Sequence, residues 1–362
     1  FFQAVQAVLA KRAPGDARPA EELDHAVRQI ISRAVAPRRT SSALVRPRVT
    51  GPARSSIAPS KNRCLPTSAG SARKSLPIQA AECELVARVS LQNTAKAATD
   101  AIVQALGRHG VVRLPRQTLS APQLKTFSAR LGELEVNVIG AFQEPGHPEV
   151  MILSNIVEDG KPIGLGDAGQ SWHADMSYSE VVAFANVLHA LKVPQRDGQP
   201  LGATEFCDMC AAYDDLPADI KRQLDGKTAL HDFNKFWEMM RRRPGNTRPP
   251  LTEQQRKTKP PVSHPVVLTH PISGRKALYA NPGYTMRINE LPESESDQLL
   301  AFLFTHQTDA KFRYVFRWQA GDVLIWDNLR TIHQAVADYA PHEHRLIKRC
   351  QVMATRFTPS PL

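Results

Sequence analysis

Two histidines and one aspartate form a set of side chains that could bind a metal ion. His173 and Asp175 are separated by one residue, so in an extended strand their side chains would project to the same side. His333 follows an apolar run flanked by turns and is expected to begin another extended segment. Two imidazoles and one carboxylate can hold Fe(II) and leave coordination positions open. His-x-Asp alone is weak evidence, because a lone histidine on a strand is more often packed.

Two arginines and a threonine could bind a carboxylate. Arg345 and Arg349 lie beyond His333 in the sequence. A guanidinium grips a carboxylate through two parallel hydrogen bonds, which lysine cannot match. A co-substrate with a free distal carboxylate would need such a group, and the hydroxyl of Thr204 could complete its site. The alternative is that both arginines are exposed strand charges.

Five stretches of the sequence together resemble one enzyme family. They are Trp172–Tyr178, Gly202–Met209, Gly274–Tyr279, Gly321–Asn328 with His333, and His344–Arg349. In this order and spacing, from about residue 105 to 357, the chain resembles the taurine dioxygenase / 2,4-dichlorophenoxyacetate dioxygenase family (TauD/TfdA-like). Members of this family depend on Fe(II) and 2-oxoglutarate.

The resemblance implies a fold, a site and a reaction. The fold is mainly β with flanking helices around a double-stranded β-helix, or jelly roll. His173, Asp175 and His333 would bind iron, Thr204 and Arg345 would hold the far carboxylate of 2-oxoglutarate, and Arg349 would contact an anionic substrate. The reaction would consume O2 and hydroxylate a small anionic substrate, such as a sulfonate, sulfate ester or aryloxyalkanoate, with release of succinate and CO2.

One loop departs from the family pattern. Members usually carry Gly-Gly-x-Thr soon after Val-Pro, whereas this chain has Leu201 in place of the first glycine and a longer stretch between Val193 and Ala203. Thr204 remains aligned by the residues that follow it.

The predicted elements independently favour a double-sheet β core with few helices. Helices are expected at 93–109, from Ser120 as N-cap to just before Gly132, and at 294–306. Strands are expected at 111–114, 148–154, 173–178, 183–192, 203–209, 277–281, 322–327 and 346–356.

The basic charge belongs to the N-terminal part of the chain. Residues 1–80 contain 14 Lys or Arg and 4 Asp or Glu, and so carry +10 of the formal net charge of +11. Apart from a short helix predicted near 20–35, this tail is expected to be disordered, because it has little apolar periodicity. An organelle transit peptide and a nucleic-acid-binding arm are alternatives to a segment outside the functional unit, which we favour. The expected division is therefore 1–80 as tail and 81–362 as dioxygenase domain.

A second basic stretch lies within the main body. A long irregular insertion is expected around 235–262, in which residues 235–260 carry eight Lys or Arg against two Glu, with four prolines. It is interpreted as a solvated surface loop or, alternatively, as a lid over an active site that favours anions.

The amino-acid composition limits the classes of protein to which the chain could belong. The chain has no apolar run of the roughly 18 residues that a membrane span needs, and its five cysteines are scattered. A cytoplasmic enzyme is expected, with no membrane or nucleic-acid partner, and a family-type helical face could support a homo-oligomer. Alternatives are a non-catalytic jelly-roll protein that binds metal or ligand, and a related oxygenase acting on an amino-acid-like or carnitine-type substrate.

Overall fold

A computed structural model describes residues 81–82, 91, 96–136, 142–243, 249–357 and 360–361. These residues all fall within one compact unit, Ser75–Leu362. The predictions for residues 1–80 lie outside the described residues. None of the helices in the described ranges is long and apolar enough to cross a membrane.

The described chain contains more strands than helices. The helices are α1 (Lys96–His109), α2 (Ala121–Ala129), α3 (Met209–Asp215), α4 (Ala218–Leu224), α5 (Phe233–Arg241), α6 (Glu253–Thr258) and α7 (Glu293–Gln307), with a 3-10 turn at Ala310–Phe312. The strands are β1 (Ala81–Glu82), β2 (Val111–Leu114), β3 (Gln143–Glu144), β4 (His147–Ser154), β5 (Val157–Glu158), β6 (Lys161–Pro162), β7 (Ala183–Lys192), β8 (Gln195–Arg196), β9 (Gln199–Pro200), β10 (Thr204–Asp208), β11 (Thr228–His231), β12 (Val262–Pro265), β13 (Val267–Thr269), β14 (Lys276–Leu278), β15 (Thr285–Ile288), β16 (Arg313–Phe316), β17 (Val323–Asp327), β18 (Thr331–Ala335), β19 (Leu346–Met353) and β20 (Ser360–Pro361).

Two sheets build the core of the fold. The major sheet has seven strands in the order β1-β2-β17-β7-β19-β4-β3, and a minor sheet has the order β16-β10-β18. Apart from the parallel pair β1–β2, these strands pair antiparallel. Among the described residues the sheets do not close into a barrel. The mainly β, jelly-roll prediction is confirmed.

Alternating side chains on the strands fill two apolar layers. On β17, Leu324 and Trp326 join a cluster with Phe206 of β10, so this layer lies between the two sheets. Val323 and Ile325, on the opposite face of the same strand, join the larger cluster that includes residues of α1 and α2. A period of two therefore sends one side of β17 toward the minor sheet and the other toward the helices.

Several sequence predictions are confirmed at the level of the element. Helix α1, strand β2 and helix α7 lie where they are expected. Ser120 caps α2: its hydroxyl accepts from the Gln123 N–H, and the Gln123 side chain accepts from the Ser120 N–H. Strand β10 is shorter than predicted, because Asp208 caps α3 and Met209 is already helical.

Two predictions are wrong. The stretch 173–178 is not a strand: only His173 makes a β-bridge, and a turn follows it. The segment 235–262 is not irregular throughout, since α5 extends to Arg241 and α6 begins at Glu253. Thr252 caps α6 with a capping box that includes Gln255, so local hydrogen bonding supports a helix within this basic, proline-containing stretch.

Candidate active site

Three side chains meet in the arrangement that a metal ion requires. One ligand atom from each of His173, Asp175 and His333 lies within 4.8 Å of the other two. His173 Nε2 is 3.4 Å from Asp175 Oδ1, and His333 Nε2 is 3.6 Å from Asp175 Oδ2. All three residues are buried. This is a 2-His-1-carboxylate set, which binds Fe(II) facially and leaves positions open for other ligands.

The backbone brings the two histidines together in a way that differs from the sequence prediction. His173 and His333 form an antiparallel bridge in which each N–H donates to the other's carbonyl, at 3.1 and 2.9 Å. His173 therefore extends the minor sheet beyond β18. Asp175 lies in the turn that follows, and Met176 has a left-handed φ of 54°. The carboxylate reaches the histidines because the chain turns, not because a strand places i and i+2 on one face.

Neighbouring groups fix the orientation of two of these side chains. His173 Nδ1 lies 2.7 Å from the carbonyl oxygen of Ser171, so with Nδ1 protonated the Nε2 lone pair faces the site. Asn186 of β7 donates to Asp175 Oδ2 at 2.6 Å. Asn328 Oδ1 in turn lies 3.5 Å from Asn186 Nδ2 and accepts from the Trp326 indole at 3.1 Å.

The protonation states suit metal binding. Burial opposes ionisation of Asp175, but hydrogen bonding to His173 and the charge of Arg349 hold the pKa of this carboxyl well below its usual range. Burial, together with the nearby His173, lowers the pKa of His333 to about 3. At neutral pH the site therefore presents an anionic oxygen and, at His333, a neutral imidazole with a free lone pair.

Thr204 and Arg345 line the same cavity as the three metal ligands. Both are buried, and no ion pair involves Arg345 among the described residues. Burial lowers the pKa of Arg345, while the neighbouring Tyr339 raises it. A buried guanidinium without a carboxylate partner is costly, so this end of the cavity fits a carboxylate ligand.

The backbone around Arg345 holds it in place. Its N–H donates to Asn155 Oδ1 and its carbonyl accepts from Ser154 Oγ, both at 2.8 Å. Gly202 has a φ of 70°, and a Cβ there would lie 3.1 Å from the Tyr339 ring and 3.4 Å from Arg345 Cδ. The longer loop before Thr204 contains the small hairpin β8–β9, and Gly202 follows that hairpin.

Arg349 also lines the cavity, beside the metal ligands. Its Nη1 is 3.7 Å from Asp175 Oδ2, and its Nη2 is 3.2 Å from Met151 Sδ. The guanidinium group of Arg349 therefore faces the cavity, and its positive charge is partly balanced by Asp175.

The cavity has a volume of about 310 Å³, and aromatic side chains form part of its wall. Phe236 of α5 lies 5.1 Å from the His173 ring and packs against Tyr284 at the same distance. Phe233 and Trp237 of α5 line the cavity as well. The basic segment thus supplies walls of the site, as the lid interpretation expects of it.

Three residues that contact a metal ligand or line the cavity were not predicted from the sequence. Asn186 carries no motif, and only its isolated polarity within the apolar run Ala183–Leu188 could have singled it out. Glu135 and Lys259 line the cavity from segments far apart in the chain, and nothing in their spacing indicates this.

The fold and the site define a jelly-roll oxygenase with a 2-His-1-carboxylate metal centre. The profile of the family described as "Taurine catabolism dioxygenase TauD, TfdA family" matches residues 72–351. The chain belongs to this family and is a 2-oxoglutarate-dependent dioxygenase. Its cofactors are Fe(II) and 2-oxoglutarate, and the side chains described above fit both.

Individual relatives agree with this assignment. The chain is 35% identical to the alpha-ketoglutarate-dependent 2,4-dichlorophenoxyacetate dioxygenase of Burkholderia sp. (strain RASC), over 68% of this chain and 82% of that protein. It is 32% identical to an alpha-ketoglutarate-dependent sulfate ester dioxygenase of Pseudomonas putida, over 70% and 80%. The crystal structure of AAD-2 in complex with Mn(II) and N-oxalylglycine is similar with a TM-score of 0.62 and 26% identity, over 75% of this chain and 94% of that one.

Proposed function

We propose that this enzyme hydroxylates a small anionic organic molecule, with His173, Asp175 and His333 as the iron ligands. One observation carries the proposal: these three residues share a single cavity with Thr204, Arg345 and Arg349. The cavity thus combines a metal centre with two separate guanidinium groups.

Each group has a defined part in the reaction. Bound Fe(II) and 2-oxoglutarate would activate O2: one oxygen atom would enter the substrate as a hydroxyl group and the other would enter succinate, with release of CO2. Thr204 and Arg345 hold the distal carboxylate of 2-oxoglutarate, because a buried guanidinium without an ion-pair partner favours a bidentate anion. Arg349 adds positive charge beside the reacting centre. The aromatic wall excludes water and orients the substrate.

The substrate class is inferred from charge and from relatives. Arg349 and Lys259 place two cations around the part of the cavity that 2-oxoglutarate would leave to the substrate. The named substrates of the relatives, an aryloxyalkanoate and a sulfate ester, are organic anions. We therefore propose an aryloxyalkanoate, sulfate ester or sulfonate. An amino-acid-like or carnitine-type substrate is the alternative within the same chemistry.

The first experiment tests the cofactor chemistry. Fe(II) and 2-oxoglutarate are added anaerobically to the full chain, and the weak visible metal-to-ligand charge-transfer band is recorded. The band should form in the wild type and be lost in His173→Ala and Asp175→Ala. A screen of organic anions for succinate release then follows. Correctly folded wild-type protein without the band would instead favour a non-catalytic jelly-roll protein that binds metal or ligand.

We also propose that residues 81–362 form the dioxygenase domain and that residues 1–80 take no part in its chemistry. The family match begins at residue 72, which supports a boundary in this region. Removing residues 1–71 should leave the charge-transfer band and succinate release unchanged. Loss of either would give the basic segment a role in the reaction.

A further inference from the structure

Helices α5 and α6, which we call the cover helices, lie beside the active-site cavity together with Lys259. Lys259 is the cation that this part of the chain contributes to the cavity. Phe233, Phe236 and Trp237 of α5 line the cavity, and Lys259, directly after the C-terminus of α6, lines it too. The lysine thus faces the substrate space, whereas the charged residues of α6 itself, Glu253, Arg256 and Lys257, are exposed.

The ammonium group of Lys259 is held by aromatic rings. Its Nζ lies 4.9 Å from the centre of the Tyr178 ring and 5.1 Å from that of Phe233. Both distances fall within the range of cation–π contacts, which orient a charge without neutralising it. No ion pair involves Lys259 among the described residues, whereas Lys257, two residues earlier, pairs with Glu253 at 2.7 Å.

Of the three cations that line the cavity, Arg349 alone forms an ion pair among the described residues, while Arg345 has an assigned ligand and Lys259 has the charge of Glu135 near it. Arg349 lies 3.7 Å from Asp175, and Arg345 faces the proposed carboxylate of 2-oxoglutarate. Glu135 lines the cavity as well, without an ion pair to Lys259. Burial raises the pKa of Glu135, while the charges of Arg349 and Lys259 lower it. Burial lowers the pKa of Lys259 and the charge of Glu135 raises it, so an incoming anion would stabilise the ammonium group further.

A continuous row of rings connects Lys259 with the metal ligands. Tyr178, under the ammonium group, lies 4.7 Å from Tyr284, and Tyr284 lies 6.1 Å from His173. A flat organic body could pack along this row while its acidic group stays at the cover.

We propose that Lys259 binds the anionic group of the substrate and that the enzyme prefers anions with an aromatic or cyclic body. This inference rests on the proposed function and adds a specificity-determining residue to it. Arg349 then acts at the inner end of the cavity and Lys259 at the cover.

The test compares two probes of similar shape and different charge, phenoxyacetate and 2-phenoxyethanol. KM is measured for each from succinate release, and binding from the shift of the charge-transfer band. The wild type should prefer phenoxyacetate, and Lys259→Met should reduce that preference by about tenfold, the effect of roughly 1.4 kcal/mol. Lys259→Arg should retain most of it. Lys257→Met, which removes an exposed charge from the same helix, should match the wild type.

The outcomes separate this inference from the proposed function. Absence of the charge-transfer band in the wild type would refute the cofactor chemistry. A band-forming wild type that does not prefer the anion, or a Lys259→Met variant with wild-type preference, would overturn the role of Lys259 alone. If Arg349→Met abolishes the preference and Lys259→Met does not, the anionic group belongs to Arg349.

Discussion

Asn186 donates a hydrogen bond to Asp175 Oδ2 at 2.6 Å, and both side chains are buried. Asn186 belongs to β7 in the middle of the major sheet, while Asp175 lies in the turn after the bridge between His173 and His333. The major sheet therefore fixes the rotation of a carboxylate whose partners come from the minor sheet. A neutral amide does this without competing with the metal for charge.

Replacing Asn186 by leucine should weaken metal binding by about 10- to 100-fold, the usual effect of losing a group that orients a ligand. The change keeps the side-chain size and removes the donor to Asp175. Metal affinity is measured by anaerobic Fe(II) titration in the presence of 2-oxoglutarate. Gln307→Leu provides a control, because Gln307 is an equally buried amide outside the cavity. A folded Asn186→Leu variant with wild-type affinity would show that Asp175 is positioned by its turn alone.

Arg345 should control the affinity for 2-oxoglutarate more than any other single cation of the cavity. Arg345→Met should raise the apparent Kd for 2-oxoglutarate by at least about 30-fold, since truncating one partner of a buried ion pair costs about 2 kcal/mol or more. Arg345→Lys should recover only part of this loss, because an ammonium cannot form the bidentate pair.

The measurement is titration of the charge-transfer band with 2-oxoglutarate. Arg275→Met is the matched control: Arg275 pairs with Asp214 outside the cavity and is partly exposed. Equal affinities for Arg345→Met and Arg275→Met would remove Arg345 from the co-substrate site.

The sequence was sufficient to predict which residues would meet, but not how the backbone brings them together. His173, Asp175 and His333 could be selected because their chemistry is specific and the surrounding motifs are long. The turn at Asp175 could not, because Met176 has a left-handed φ that its residue type does not suggest. The contact of Asn186 with Asp175 depends on how the two sheets are packed, which spacing along the chain does not encode.

The structure of the cover helices also could not be predicted from their sequence. Prolines and like charges in 235–262 favour an irregular loop. Residues of α5 nevertheless form a helix, because their aromatic side chains pack against the cavity. Phe236 and Met240 are buried there, four residues apart on one face. Tertiary packing thus outweighs local propensity in α5, whereas α6, which precedes Lys259, has a local capping box and no buried residue.

Acid should destabilise the folded protein through His231. This residue is fully buried in β11, its Nδ1 lies 3.2 Å from Ser177 Oγ, and burial, with smaller effects of His264 and Lys235, lowers its pKa to about 3. Between about pH 6.5 and 3 the unfolded chain therefore binds one more proton at this residue than the folded chain. The free energy of unfolding must fall as the pH falls through this window, by up to about 1.4 kcal/mol per pH unit from His231.

Urea unfolding from pH 4.5 to 7.5 measures this dependence. The free energy of unfolding should depend less steeply on pH in His231→Gln than in the wild type, by the contribution of about one proton. The variant should also be less stable at neutral pH. His342→Gln, at an exposed turn, should keep the wild-type slope. Parallel slopes for wild type and His231→Gln would mean that His231 is not held neutral.

Arg243 couples the cover to the first metal ligand. From just beyond α5 it donates to Gln170 Oε1 and to Ser171 Oγ, each at 2.7 Å, and to the Gln170 carbonyl. Ser171 is the residue whose carbonyl accepts from His173. Arg243→Met should therefore loosen residues 169–171, increase their amide hydrogen exchange, and weaken Fe(II) binding by up to about tenfold, less than the loss of a direct ligand contact. Arg241→Met is the control, since Arg241 forms an ion pair with Glu238 of the same helix and does not line the cavity. If Arg243→Met increases exchange but leaves Fe(II) affinity unchanged, then the bridge between His173 and His333 is enough to hold the ligand, and the cover acts on the substrate alone.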